Sequence, residues 1–175
     1  MTPRELAEYQ ALRDTIRERG TTRVWLLLAT FVAWGALAIA TAALAALPIA
    51  TLLPLLLLAV GFETGFAVHT GVERIGRYVQ VFFESDTDRG WEHRIMAYGD
   101  GVRGPASDPL LAAYFWIATI FNFVPAILAN PALVEWTVVG VIHLLFMVRV
   151  GVARRQASRQ RAIDLDRFRQ LKANT

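Results

Sequence analysis

The chain has 175 residues, of which 55% are apolar and 19% are charged, so it is more apolar than an ordinary soluble domain. It contains no cysteine, which excludes disulfides, thiolate nucleophiles and thiolate metal sites. Its formal net charge is +3 and its pI is about 9.8. We ascribe this basicity to segments that face an anionic lipid leaflet, and we predict no nucleic-acid partner.

Two long windows of the sequence lack cations, one between Val24 and Glu73 and the other between Gly104 and Val148. Four apolar segments of about 20 residues or more coincide with them, the last extending past Val148, and each is long enough to cross about 30 Å of hydrocarbon. The predicted spans are 24–47, 48–72, 110–129 and 132–153. The predicted fold class is therefore all-α: a polytopic integral membrane protein with four transmembrane helices in a bundle and amphipathic cytoplasmic helical extensions.

The basic residues fall before the first predicted span, between the second and third spans, and at the inner end of the fourth span and beyond it. The positive-inside rule places these three regions, and both termini, in the cytoplasm. We expect a bacterial protein of the plasma (inner) membrane, multi-pass. The stretch "TAALAALP" resembles a signal-peptidase site, but the long segment before it, which contains acids, argues against cleavage.

The parts of the chain outside the spans are also predicted to be helical. Thr2-Pro3-Arg4-Glu5 fits a capping box, which starts an amphipathic helix that we expect to end at Gly20. The apolar period of the second span continues to 84 and predicts one long helix, followed by a cytoplasmic loop at 85–109. Within that loop, "WEHRIMAYG" predicts a short helix. These patterns divide the chain into an N-terminal helix, a four-span domain and a basic C-terminal helix, at 1–22, 23–153 and 154–175.

Small residues indicate where helices pack closely. Gly61 and Gly65 form a GxxxG pair on the second span, and Gly76 falls on nearly the same stripe of the helix. Small residues of this kind let another helix backbone approach. Gly140 indicates a similar environment on the fourth span. His69 lies near the glycine stripe, and we interpret it as a helix contact near the cytoplasmic interface.

The second span also carries a carboxylate, Glu63, which points nearly opposite the glycines. It lies about 21 Å below the outer turn, at mid-bilayer, so it must be protonated, paired or hydrated. His143 lies about 18 Å down the fourth span, and depth matching therefore pairs it with Glu63. Arg149 is about 9 Å lower and is expected to reach Glu73. We interpret both pairs as structural links or oligomer contacts, and a site for protons or ions is the alternative.

No enzyme motif or metal-ligand repeat occurs in the sequence, so no catalytic residue, metal or cofactor is predicted. The leading functional hypothesis is a non-catalytic module that associates with copies of itself or with a larger membrane complex. The first alternative is a subunit of a proton or small-ion channel or transporter that uses Glu63 and His143. A lesser alternative is a haem held by His69 and His143. The depths of these two residues in the bilayer differ by roughly 9 Å, which argues against a shared haem.

Overall fold

The structure is a computed structural model that describes residues 1–43, 47–84, 90–101 and 109–174. Within those ranges the regular elements are all helices and no strand occurs, which confirms the all-α prediction. In chain order the helices are α1 (Pro3–Ala43), α2 (Leu52–Phe82), α3 (Trp91–Gly101), α4 (Pro109–Leu128) and α5 (Leu133–Ala173). A single 3-10 turn, Pro48–Thr51, leads directly into α2.

Four of these elements are long and apolar enough to cross a membrane: α1, α2 together with its 3-10 turn, α4 and α5. This confirms the four apolar helices predicted from the sequence. Helices α1 and α5 each contain 41 residues. Each is therefore about 61 Å long, roughly twice the thickness of the hydrocarbon core of a bilayer.

Helix α1 begins as the sequence predicts but does not end where expected. The backbone N–H of Thr2 donates to the Glu5 carboxylate at 2.7 Å, and the N–H of Glu5 donates to the Thr2 hydroxyl at 3.3 Å, so the capping box is confirmed. The predicted end at Gly20 is wrong, because α1 continues through it to Ala43. A glycine inside a helix costs only about 1 kcal/mol, which the continuous hydrogen-bonding of a long helix outweighs.

The remaining boundaries differ from the predictions in smaller ways. Helix α2 ends at Phe82, two residues before 84, and α5 runs without a break into the predicted C-terminal helix. Helix α3 confirms the short helix that "WEHRIMAYG" predicts within 85–109. Parts of the predicted first span, loop and C-terminus lie outside the described residues, at 44–46, 85–89, 102–108 and 175.

The described chain forms two compact units. We call the first the charged unit; it contains Met1–Arg23, Ala67–Ser107 and Arg155–Thr175. We call the second the apolar unit; it contains Val24–Phe66 and Asp108–Arg154.

The core of the apolar unit is built from aromatic and aliphatic side chains of α2, α4 and α5. Leu58 and Phe115 are fully buried, and Phe62 is 2% exposed. The rings of Phe62 and Phe115 meet edge to face with centroids 5.2 Å apart, a favourable geometry for aromatic pairs. The indole N–H of Trp116 donates to the backbone carbonyl of Met147 at 3.0 Å and so ties α4 to α5.

The charged unit has a smaller core with a row of aromatic rings. Val79 is fully buried on α2. The rings of Tyr78 and Phe82 stack at 4.5 Å, and Phe168 on α5 meets Tyr78 edge to face at 5.6 Å. These contacts hold the ends of α2 and α5 together, so the charged side chains around them are positioned by packed helices.

Candidate functional site

An ion pair in the apolar unit joins α2 to α5. Arg149 donates to the Glu63 carboxylate at 2.8 Å, and the two side chains are 41% and 47% exposed respectively. The predicted partner of Glu63, His143, is therefore wrong. The predicted depths assume that the fourth helix begins at Pro131, but α5 begins at Leu133. In addition, the 3-10 turn before α2 rises more per residue than an α-helix does. With both corrections, Glu63 and Arg149 each lie about 24 Å along their segments.

The surroundings of this ion pair are apolar. Leu56 and Val60 precede Glu63 on α2 and are about 60% exposed, and Leu145 precedes Arg149 on α5 with 60% exposure. The two charges of the ion pair are thus surrounded by exposed aliphatic side chains. A half-exposed ion pair is unremarkable in water, where such pairs contribute about 0–1 kcal/mol, but it is costly against lipid.

His143 belongs to a separate, buried cluster in the apolar unit. Its Nδ1 lies 2.8 Å from the carbonyl oxygen of Val139, and its Nε2 lies 3.0 Å from the side-chain amide nitrogen of Asn122. That amide also donates to the carbonyl of Thr51 at 2.8 Å, and its oxygen accepts from the indole N–H of Trp34 at 3.2 Å. A neutral imidazole with its proton on Nδ1 satisfies every one of these contacts.

This arrangement makes the Asn122 cluster a structural link among the 3-10 turn, α1, α4 and α5. Both ring nitrogens of His143 are engaged, so neither a shared proton with Glu63 nor ligation of a haem iron is supported. From its position in the third predicted span, Asn122 is interpreted only as an ordinary interhelical group. Its pairing with Thr51 depends on a backbone carbonyl at the junction of the 3-10 turn and α2, which no residue pattern signals.

His69 and Glu73 lie in the charged unit, where they have other partners. His69 Nδ1 is 2.8 Å from a guanidinium nitrogen of Arg23, and its Nε2 is 3.6 Å from the Glu73 carboxylate. Arg77 donates to Glu73 at 2.7 Å. The predicted contact between Glu73 and Arg149 is therefore wrong. An arginine four residues along the same helix is closer at hand than one on another span.

Arg77 also forms the most buried ion pair among the described residues of the charged unit, and the sequence did not predict it. It donates to Asp164 at 2.6 Å, and the two side chains are 5% and 7% exposed. Gln160 donates to the same carboxylate at 2.8 Å, and Arg74 lies 3.5 Å away. Burial raises the pKa of Asp164, but the Gln160 hydrogen bond and the charges of Arg77 and Arg74 outweigh it and hold the pKa below its ordinary value.

Helix α3 is held in the charged unit by two carboxylates. Glu84 accepts the backbone N–H groups of Glu92 and His93 at 2.8 and 2.9 Å, and its carboxylate is 2.7 Å from His93 Nδ1. Burial raises the pKa of Glu84, but these hydrogen bonds prevail and lower it. Glu92 accepts from Arg13 at 2.6 Å. Its pKa is nevertheless raised, because burial outweighs the Arg13 contact.

The four glycines predicted to pack closely all lie against groups of their own chain. A Cβ at Gly61 would collide with the Thr30 side chain of α1, and one at Gly65 would lie 3.8 Å from Leu27. A Cβ at Gly76 would lie 3.0 Å from the Glu92 carboxylate of α3. Gly140 lies beside the rings of Trp136 and Phe123 at 3.6 and 3.7 Å. The Gly61 position in particular is already filled by α1.

Taken together, these features define an all-helical protein with four helices suited to a membrane, a half-exposed ion pair on its apolar unit and a charged unit rich in buried ion pairs. Among the residues that the structure describes, no group of three or more His, Asp or Glu side chains could hold a metal ion. Comparison with known proteins gave no match to any family model, curated protein or solved structure.

Proposed function

We propose that this protein is a non-catalytic membrane module of the bacterial inner membrane that assembles with a second copy of itself. The assembly surface is the face of α2 and α5 around Glu63 and Arg149. One observation carries the proposal: two opposite charges remain half exposed on a surface that is otherwise aliphatic. The basic segments of the charged unit face the cytoplasm and its anionic leaflet in this arrangement.

The physical argument concerns what covers the ion pair in a bilayer. Lipid tails offer no hydrogen bonds to the remaining donors of Arg149 or to the acceptors of Glu63, and a charged side chain at a helix centre costs about 2.5–3.5 kcal/mol. A second copy that presents the same face would bury both pairs and complete their hydrogen bonds across a two-fold axis. Such an interface needs no glycine stripe, which agrees with the use of Gly61 by α1.

Cysteine cross-linking tests this proposal cleanly, because the chain has no cysteine of its own. Val60→Cys and Leu145→Cys place single thiols beside the ion pair at positions about 60% exposed. We expect both to form disulfide-linked dimers in native membranes under mild oxidation. Ile39→Cys on α1, which is 75% exposed, is the matched control and should remain monomeric. Equal cross-linking at all three positions, or none at Val60 and Leu145, would contradict the proposal.

The same half-exposed pair favours one second candidate, an ion or proton path that lies between subunits and has Glu63 as its polar centre. His143 has no part in it, since its hydrogen bonds are satisfied in the core. Proton flux into proteoliposomes separates the two functions. A path predicts proton flux that Glu63→Gln abolishes. An assembly module predicts no flux above that of empty liposomes, together with the disulfide cross-linking at Val60→Cys and Leu145→Cys.

A further inference from the structure

A cavity of about 420 Å³ opens in the charged unit, distant in sequence from the Glu63 pair. Its lining comes from the C-terminal end of α2, the start of α3 and the last turns of α5, and the residues that matter are Gln80, Glu84, His93, Arg169 and Lys172. Its volume falls in the range of small-molecule sites, about 300–1,000 Å³. The assembly proposed above makes no use of this cavity.

The charges of the lining favour an anion. Arg169 and Lys172 are three residues apart on α5 and therefore project from one face of the helix. Lys172 donates one proton to the carbonyl of Val81, which leaves two of its three donors for a ligand. Among the lining residues that the structure describes, Glu84 is the one carboxylate, and both of its oxygens already accept hydrogen bonds from α3. Within this described part of the lining, the charges of Arg169 and Lys172 therefore favour an anion.

The Gln80 side chain in the wall of the cavity requires that a ligand also donate a hydrogen bond. Gln80 is only 7% exposed, and its side-chain oxygen is buried without a hydrogen-bond partner among the described residues. A buried acceptor left unpaired costs about 1–3 kcal/mol, so such atoms normally meet a donor from the protein, a water or a ligand. An anion without a proton, such as sulfate, cannot donate to it. A ligand that also carries hydroxyl groups can.

We propose that this cavity binds a small phosphate monoester that carries hydroxyl groups. Its phosphate lies against Arg169 and Lys172, which give it charge-assisted hydrogen bonds. A hydroxyl of the same molecule donates to the Gln80 oxygen. Phosphate suits the site better than a carboxylate because its dianion offers three oxygens to the two cations on α5.

The test uses the full chain in nanodiscs of phosphatidylcholine and isothermal titration with three probes: glycerol 3-phosphate, sulfate and glycerol. We expect glycerol 3-phosphate to bind more tightly than sulfate, which has no proton to donate, and glycerol not to bind. Arg169→Gln should weaken glycerol 3-phosphate about tenfold, the loss of one charge-assisted hydrogen bond. Arg167→Gln removes an exposed arginine of α5 that does not line the cavity, and it should bind as the parent does.

Gln80→Met tests the hydroxyl contact separately. It should reduce the affinity for glycerol 3-phosphate to about that for sulfate and leave the affinity for sulfate unchanged. Circular dichroism of each variant confirms that it is folded. The proposal is overturned if no probe binds the folded parent, if Arg169→Gln and Arg167→Gln behave alike, or if Gln80→Met keeps the preference for the hydroxylated ligand.

A second titration identifies the source of the phosphate. Nanodiscs that contain phosphatidic acid, a phosphate monoester with a glycerol backbone, are compared with phosphatidylcholine discs. A lipid occupant competes, and the apparent Kd for glycerol 3-phosphate rises with the content of phosphatidic acid. A free metabolite leaves the Kd equal in both discs. Either result supports the phosphate site and assigns its natural ligand to the bilayer or to the cytoplasm.

Discussion

Gly61 is a residue whose lack of a side chain determines how two helices meet. The Thr30 side chain of α1 occupies the space that a Cβ would need, and the Thr30 hydroxyl is bonded at 2.7 Å to its own helix, at the carbonyl of Leu26. Four residues further along α2, Gly65 has ordinary van der Waals clearance from Leu27. The two glycines of one GxxxG motif therefore differ in the space available for a side chain: Gly61 has none, whereas Gly65 has enough for a methyl group.

We predict that Gly61→Ala destabilises the protein by about 1–3 kcal/mol, the usual cost of overpacking a core. Gly65→Ala is the matched control and should be neutral, or stabilising by up to about 1 kcal/mol through its higher helix propensity. Adding Thr30→Ala to Gly61→Ala removes the two nearest colliding atoms and should recover part of the loss. Thermal unfolding in detergent measures all four proteins. Equal effects of the two single glycine substitutions would refute the close contact.

Among the helices, α3 has the least support from its own sequence. It is 11 residues long, a length at which isolated helices are marginal in water. Glu84 compensates by accepting the N–H groups of Glu92 and His93, which have no acceptor within the helix. The acceptor comes from outside α3, so the helix depends on the end of α2 for its start.

Replacing Glu84 should therefore loosen α3 before anything else. In Glu84→Ala we expect the backbone amides of Trp91–Gly101 to exchange with deuterium about 10- to 100-fold faster, the effect of about 1–3 kcal/mol for lost buried hydrogen bonds. Glu84→Gln keeps one acceptor oxygen and should have a smaller effect. Asp166→Ala, which removes an exposed carboxylate bonded only to Gln170 among the described residues, is the control. Unchanged exchange in Glu84→Ala would show that α3 is held mainly by other contacts.

At the scale of the helices, the sequence predicts where helices form better than it predicts which residues of different helices contact each other. Long apolar windows give the four long apolar helices and the capping box at Thr2 gives the start of α1, because these signals are local. The partner of Glu63 could not be derived, since a shift of two residues at the start of α5 and one 3-10 turn moved the matching level from His143 to Arg149. Asp164 was overlooked because its partner, Arg77, lies 87 residues away and only packing brings them together.

Across the whole molecule, the carboxylates with shifted pKa values outside the spans lie in the charged unit. Glu84 and Asp164 have lowered pKa values in the folded state. Their contribution to stability is present above the unfolded value of about 4 and is lost as pH falls through the folded values. Glu92 has a raised pKa and acts in the opposite direction, with its contribution lost as pH rises.

We therefore expect mild acid, below about pH 4, to unfold the charged unit while the apolar unit keeps its structure. Hydrogen-exchange protection factors, corrected for the intrinsic effect of pH, should fall first in the charged unit. The double variant Glu84→Gln, Asp164→Asn should show a flatter pH dependence, at the cost of lower stability at neutral pH. Parallel loss of protection in both units would contradict this account.

The ion pair between Glu63 and Arg149 has a consequence for biosynthesis. The two residues are 86 positions apart, so in a chain made at about 5–20 residues per second the carboxylate emerges roughly 4–17 seconds before its arginine. In the proposed membrane arrangement, Glu63 on α2 has no Arg149 with which to pair during that interval. The order of synthesis thus makes α5 the last step of assembly, and ribosome stalling between the two residues should leave α2 accessible to proteases.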